Sequence, residues 1–444
     1  MSKLTEELRP TLALALPIIV AQVGQMLIGI TDSAMIGRLG TVPLAASAFT
    51  NGVFGVFFVA GIGFLSPVGV FTARDHGAND LAGCAKWLKH GRVVAIAYGF
   101  GSFGLLALLS GQLHRFGQPP AVLAITPPFF LLIAASLIPT LFFQVQRQFA
   151  ESLGHPWIPM LIMLGDVALN AGLNALFIWG GFGIPAFGLV GAGMATLLAR
   201  TLAVVALAIW LRCSPALREV RAATAGDWSW KAFHALLAMG VPAAGALIFE
   251  SGAFASAALM MGWIGATALA AHQVALSCAA FTFMFPLGLS IAVSMRVSKA
   301  LGAGRRDLLR PIGFGALVVS TLLSLVFAAI FALGGGLLAR GFSPDPAVNM
   351  LAAHLLLVAA LFQVFDAGQV VGSGALRGLA DVRVPTLLTF IAYWVLALPV
   401  GYFLAFRRDE GAMGIWTGLA IGLACAALLL WRRFDRLSRV LAHG

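Results

Sequence analysis

Charge is what this sequence has least of. Of 444 residues, 10% are Asp, Glu, Lys or Arg, where soluble domains carry about 25%. That scarcity excludes an ordinary water-soluble chain. Cysteine is nearly as sparse: Cys84, Cys213, Cys278 and Cys425 are scattered, without a C-x-x-C pair or neighbouring histidines. Neither a zinc site nor a disulfide framework follows, and the four are expected to pack as small apolar residues. The sequence holds no glycine-rich nucleotide-binding loop, no H-E-x-x-H motif and no paired-aspartate protease motif. ATP hydrolysis, zinc hydrolysis and aspartyl proteolysis are therefore not expected, nor is any cofactor or enzymatic activity. Residues 1–10 are polar, with no short apolar core and cleavage site, so no removable signal peptide is expected.

Apolar length is what the sequence has in excess: 60% of its residues are hydrophobic and the mean hydropathy is +0.96. Twelve apolar segments lie near 11–36, 44–71, 93–111, 121–146, 157–180, 187–211, 233–262, 266–294, 312–339, 347–376, 384–406 and 411–431. Each is long enough to cross a ~30 Å hydrocarbon layer. The expected fold class is an all-α polytopic membrane protein of twelve transmembrane helices, with the lipid bilayer as its principal partner. The net charge of +11 then has a topological meaning. Of 28 Lys and Arg, only Arg38, Arg115, Arg340, Arg407 and Arg408 fall in the odd-numbered loops, and Arg200 lies well inside a span. The remainder sit at the two ends and in the even-numbered loops, which places both termini in the cytoplasm by the positive-inside rule. The basic character is not a nucleic-acid patch.

The chain repeats itself. A shift of 225 positions lays Pro17 on Pro242, Gly40 on Gly265, Leu44-Ala45-Ala46 on Leu269-Ala270-Ala271, Gly63 on Gly288 and Gly77-Ala78 on Gly302-Ala303. A shift of 226 lays Leu153 on Leu379 and Pro159 on Pro385. The sequence therefore divides into an N-lobe at 1–213, a polar linker at 214–231 and a C-lobe at 232–444, each lobe a six-helix bundle. Both copies start on the same side, so the pseudo-twofold axis runs along the membrane normal. Two such bundles around a midplane cleft suit alternating access, and the prolines inside spans (Pro17, Pro67, Pro242, Pro286, Pro399) permit bending. Two complete halves in one chain make a monomer sufficient, with no obligate protein partner.

Four carboxyl groups lie well within spans: Asp32, Asp166, Glu250 and Asp366. A charge at the bilayer centre costs roughly 2.5–3.5 kcal/mol on insertion scales, so each is a functional candidate by default; the structural alternative is a carboxylate bonded to a neighbouring helix. Asp166, Asn170 and Asn174 recur at i, i+4 and i+8 on one face of span five. Asp32 falls at a comparable depth, and Thr196 of span six adds a hydroxyl. Such a set of oxygens suits a proton or Na⁺. In the second half, Glu250 on span seven stands with Asp366 on span ten, where Gln363, Asp366, Gln369 and Ser373 form another polar stripe. Rise along the helices puts Asp366 nearer the inside than Glu250, so sharing one ion needs tilted or bent helices. Glu250 corresponds to Gln25 in the first copy and Asp32 to Ala257, so the lobes are not functional duplicates. Gln25, Asp166, His272, Gln273, Gln363, Gln369, Phe281 and Met284 are candidates to line a substrate cavity. For His272, hydrogen bonding or packing is favoured over a metal role, because no second histidine stands at ligand spacing. No metal other than Na⁺ is expected.

The segments LALPIIVAQVGQMLIGITDSAMIGRLG, NAGLNALFIWG, AAHQVALSCAAFTFMFPLGLSIAVSMRVSKALGAG and FDAGQVVGSGALRGLADVRVP resemble the multidrug and toxic compound extrusion (MATE) family, and its NorM-like bacterial branch best. The resemblance covers essentially all twelve spans. It implies a multi-pass protein of the cell inner membrane that exports small organic, mostly cationic, compounds in exchange for H⁺ or Na⁺. It assigns Asp32, Asn170, Asn174 and Thr196 to a first-lobe cation or proton site, and Glu250 and Asp366 to the second-lobe acids. Two positions depart from the pattern. Phe362 stands where some members carry a tyrosine one turn before the aspartate, which removes an oxygen ligand, and Asp166 is additional, either a proton carrier or a paired structural group. A second reading keeps the architecture and changes the cargo, to an endogenous metabolite or a lipid-linked substrate. Arg200, the single basic residue well inside a span, argues against anionic cargo.

Overall fold

The computed structural model describes residues 2–223 and 226–443. Twelve helices among them are long and apolar enough to cross a membrane, and the only β pairing in the described residues is an isolated bridge between Gly181 and Ile184. Helices are the physical answer to such sequences, because lipid offers no partner to a free backbone N–H or C=O. In chain order the α-helical segments are α1 (Ser2–Gly37), α2 (Thr41–Leu65), α3 (Pro67–Gly77), α4 (Leu81–Ser110), α5 (Pro120–Ser152), α6 (Trp157–Trp179), α7 (Gly188–Cys213), the short α8 (Arg218–Ala222), α9 (Trp230–Ile264), α10 (Ala266–Gly302), α11 (Leu309–Phe342), α12 (Pro346–Gly378), α13 (Arg383–Phe390), α14 (Leu398–Arg407) and α15 (Gly411–His443); α2 with α3 makes one span, α13 with α14 another, and α8 lies outside the twelve.

Several helices outrun the apolar windows that announce them. Lys86, Lys89 and Arg92, expected in a loop, lie on α4, and Arg74 lies on α3. Arg296 and Lys299 lie on α10, and Arg377 on α12. Hydropathy marks where lipid begins, whereas the helix continues into polar surroundings wherever a cap or an ion pair completes it. At the start of α4, for example, the Asp80 carboxylate accepts from the Gly83 N–H at 2.8 Å, a side-chain N-cap. Arg147 is the sharpest departure: expected in a loop, it is 1% exposed within α5 and paired with Glu151 at 2.7 Å. The span near 384–406 holds a π-helical stretch at Ile391–Ala397 between α13 and α14. Pro399 follows two residues later. It lacks an N–H and its ring crowds the carbonyl four residues back, and widening the preceding turn relieves both.

The repeat is visible in the backbone. Positive φ occurs at Gly40 and Gly265, at Asn79 and Gly304, and at Gly154 and Ala380, pairs separated by the sequence offset of 225 or 226. Contacts divide the chain into two compact units, one of residues 20–244 and the other of residues up to 19 together with those from 245 onward. The linker at 214–231 lies inside the first unit. In the second, a Cβ on Gly288 of α10 would stand 2.9 Å from the backbone of Ile19. In the first, a Cβ on Gly63 of α2 would stand 2.6 Å from Cα of Ala244. These contacts are repeat equivalents: each needs a glycine so that two helix backbones can close up.

Candidate functional site

In the unit of residues 20–244, α1, α6 and α7 bring four polar side chains into one network. The Asn174 amide donates to Asp32 Oδ1 at 2.5 Å and to Asn170 Oδ1 at 3.0 Å. Asn170 Nδ2 reaches Thr196 Oγ1 at 3.5 Å; the Thr196 hydroxyl donates to the Ala192 carbonyl at 2.9 Å and stands near Asp32. The periodicity of α6 explains why Asn170 and Asn174 point one way: at i and i+4 they share a face, and both are buried. Asp166, one turn earlier on that face, is also buried, and its Oδ1 has no hydrogen-bond partner. Asn174 Oδ1 is likewise buried and unpartnered.

A cation is already present beside these acids. Arg200, one turn beyond Thr196 on α7, interacts electrostatically with both Asp32 and Asp166. Its Nη1 donates to Ser136 Oγ at 2.6 Å and its guanidinium lies 5.0 Å over the Phe54 ring. Among the described residues no ion pair closes between Arg200 and either aspartate.

The unit that holds residues from 245 onward contains a second acidic centre. Glu250 of α9 and Asp366 of α12 interact electrostatically, so the helices bring together two groups that rise along ideal helices had set at different depths. Gln363, Asp366 and Gln369 are all buried along one face of α12. Asp366 Oδ1, Gln369 Oε1 and Gln363 Nε2 lack partners. Arg377, at the end of α12, interacts with Glu250. Tyr393, on the π-helical stretch, interacts with both carboxyl groups. His272 is fully buried, and its Nδ1 accepts from Trp416 Nε1 at 3.1 Å, which leaves the ring proton on Nε2.

Neither network, among the described residues, includes Gln25, Gln273, Phe281 or Met284. Gln273 and Phe281 are exposed, while Gln25 and Met284 are partly buried. Tyr393 and Arg377 are absent from the sequence-based set. Arg377 falls at a span end, where a basic residue is expected for topology alone. Tyr393 had a faint signal, as one of only three tyrosines, set in an apolar run. No group of three His, Cys, Asp or Glu side chains comes together as a metal cluster among the described residues.

Comparison with known proteins agrees with this architecture. The MatE family profile matches residues 17–176 and again 242–403, one match per sequence repeat. The chain is 36% identical to a probable multidrug resistance protein NorM of Pseudomonas putida, over 99% of this chain and 97% of that one. It is 37% identical to a protein of the same description from Bradyrhizobium diazoefficiens, over 98% of this chain and 95% of that one. A crystal structure of a MATE protein in the straight conformation superposes with a TM-score of 0.90 at 21% identity, covering 99% of this chain and 97% of that one. A doubled family match, full-length relatives above 30% identity and the shared twelve-helix fold lead to one conclusion: this chain belongs to the MatE family of membrane transporters.

Proposed function

We propose that the chain is a cation-coupled antiporter of the bacterial inner membrane, with both termini cytoplasmic, that exports small organic, mostly cationic, compounds in exchange for H⁺ or Na⁺. The observation that carries this reading is the Asp32 network. Its hydrogen bonds are internally directed, yet two buried oxygens on the same face, Asn174 Oδ1 and Asp166 Oδ1, have no donor. Buried acceptors without donors are costly to keep, and a small cation or a proton is what satisfies them. With Arg200 charged and Asp32 and Asp166 both ionised, one negative charge remains, which one proton or one Na⁺ balances. An organic cation that approaches this charge competes with the coupling ion, and that competition is the physical content of exchange. The names of the NorM relatives support multidrug cargo, and among the described residues Arg200 is the basic side chain that interacts with Asp32 and Asp166.

The test is efflux of a fluorescent organic cation from proteoliposomes under a Na⁺ gradient alone or a pH gradient alone. One gradient is expected to drive efflux, and Asp32→Asn to abolish it. Wild-type efflux in Asp32→Asn, or efflux indifferent to both gradients, would overturn the reading.

A further inference from the structure

Tyr393 has a phenol with nothing to do. It is 0% exposed, and its Oη is buried without a hydrogen-bond partner. The chain's other tyrosines show the contrast. Tyr98 donates to the Phe57 carbonyl at 2.9 Å, and Tyr402 is 46% exposed. A buried hydroxyl with no partner weakens a fold, so its presence where a phenylalanine would pack equally well asks for a ligand.

Three contacts fix where the Tyr393 ring stands. Trp394, the next residue, donates from Nε1 to the carbonyl of Phe249 at 2.9 Å, which ties the π-helical stretch to α9 one residue before Glu250. Gly252 permits the approach, since a Cβ there would lie 3.0 Å from the Trp394 ring. Phe254, one turn beyond Glu250, packs edge-on against Tyr393 and against Phe362, with ring centroids 6.0 Å apart in both cases. Phe362 in turn is one turn before Asp366 on α12. The phenol is thereby held between the Glu250 turn and the Asp366 turn, and it interacts electrostatically with both carboxyl groups. The π-helical geometry is part of the arrangement, because the widened turn faces Tyr393 and Ala397 inward while Val395 stays exposed. Single π turns inside helices recur at functional sites.

We propose that Tyr393 supplies the third oxygen of the Glu250–Asp366 centre, so that a small cation or proton held there is shared by two carboxyl groups and one phenol. The inference rests on the reading of Glu250 and Asp366 as cation-binding groups. It also gives a physical sense to Phe362: with the phenol delivered from the π-helical stretch, α12 has no need of an oxygen at that position. The ring of Phe362 packs instead against Trp416, with centroids 5.3 Å apart.

The experiment compares wild type, Tyr393→Phe, Glu250→Gln and Asp366→Asn in proteoliposomes, with efflux of one organic cation measured across a Na⁺ series at fixed pH and a pH series without Na⁺. The series that responds identifies the ion. Loss of one charge-assisted hydrogen bond or ligand is expected to raise the concentration of that ion needed for half-maximal efflux about tenfold in Tyr393→Phe, with the maximal rate and drug affinity near wild type. Thermal unfolding in detergent separates this from damage, because Tyr393→Phe removes an unsatisfied hydroxyl and is expected to leave the midpoint unchanged or raised. An unchanged half-maximal ion concentration in Tyr393→Phe, with Glu250→Gln and Asp366→Asn inactive, overturns the role of Tyr393 alone. A change confined to drug affinity overturns it as well. Wild-type efflux in Glu250→Gln and Asp366→Asn overturns the underlying site.

Discussion

At the scale of single residues, an ion pair within the protein and an unpaired acid obey the same physics with opposite results. Arg147 and Glu151 are 1% and 2% exposed on α5 and bond at 2.7 Å, so each has surrendered its hydration for the other. Removing one partner leaves a buried, uncompensated charge, at a cost of about 3–5 kcal/mol, whereas replacing both by apolar residues is often neutral or stabilising. Glu151→Gln is therefore expected to lower the thermal midpoint of the purified protein by many degrees. Arg147→Met with Glu151→Met is expected to restore most of the loss, and thermal unfolding in detergent measures both. If the single variant unfolds with wild type, the pair is not holding the fold. Asp32 and Asp166 are held otherwise: Arg200 stands near but pairs with neither, and a buried oxygen stays without a donor. Glu151 closes its charge on a neighbouring arginine, whereas no ion pair closes on Asp32 or Asp166 among the described residues. Sequence alone did not separate these cases, because Arg147 reads as a loop cation, and its i, i+4 pair with Glu151 forms only because α5 runs on to Ser152.

At the scale of elements, close helix packing rests on a few glycines whose replacement has a calculable steric outcome. On Gly418 of α15, a Cβ would lie 2.4 Å from the backbone of Gly401 on α14, while on Gly104 of α4 it would meet nothing within 4 Å. Backbone cannot swing aside as a side chain can, so Gly418→Ala is expected to destabilise by about 1–3 kcal/mol, as overpacking does. Gly104→Ala is expected to be neutral or slightly stabilising, since alanine is the better helix former. Midpoints of thermal unfolding for the two variants, measured side by side, check the contrast; equal shifts would sink it. The helices themselves were legible in the sequence because lipid demands long apolar runs, and that demand is blind to what happens at their ends. Hence α4 begins at Leu81 rather than near 93, and α1 reaches back to Ser2. The π-helical stretch was not legible either. Pro399 signals that something must give, but whether the chain kinks, unwinds or widens by one residue depends on tertiary contacts, among them the Trp394 indole N–H that donates to the Phe249 carbonyl.

At the scale of the whole molecule, duplication supplies the scaffold and divergence supplies the chemistry. The offset of 225 was readable from glycines and prolines, and it recurs in backbone detail at Gly40 and Gly265 and in the helix contacts of Gly63 and Gly288. The polar stripe of α6 was readable too, because i, i+4 spacing dictates a shared face. What the stripe meets depends on tertiary structure, and so Arg200, Arg377 and Tyr393 took their places only in three dimensions. The acids do not follow the repeat. Glu250 corresponds to Gln25, and Asp366 corresponds to Thr140, whose hydroxyl bonds back to the Ser136 carbonyl at 2.7 Å. Asp32 corresponds to Ala257, which is fully buried. A carboxylate moved to position 25 would thus have Thr140 and Val167 at the repeat positions of Asp366 and Tyr393, although the helix that carries it is the repeat partner of α9. The double variant Gln25→Glu with Glu250→Gln conserves both total charge and helix type. It is nevertheless expected to transport no better than Glu250→Gln alone in the proteoliposome efflux assay. Recovery to half the wild-type rate or more would show that an acid at this level of either first helix suffices, and that the surrounding oxygens of α12 and the π-helical stretch are dispensable.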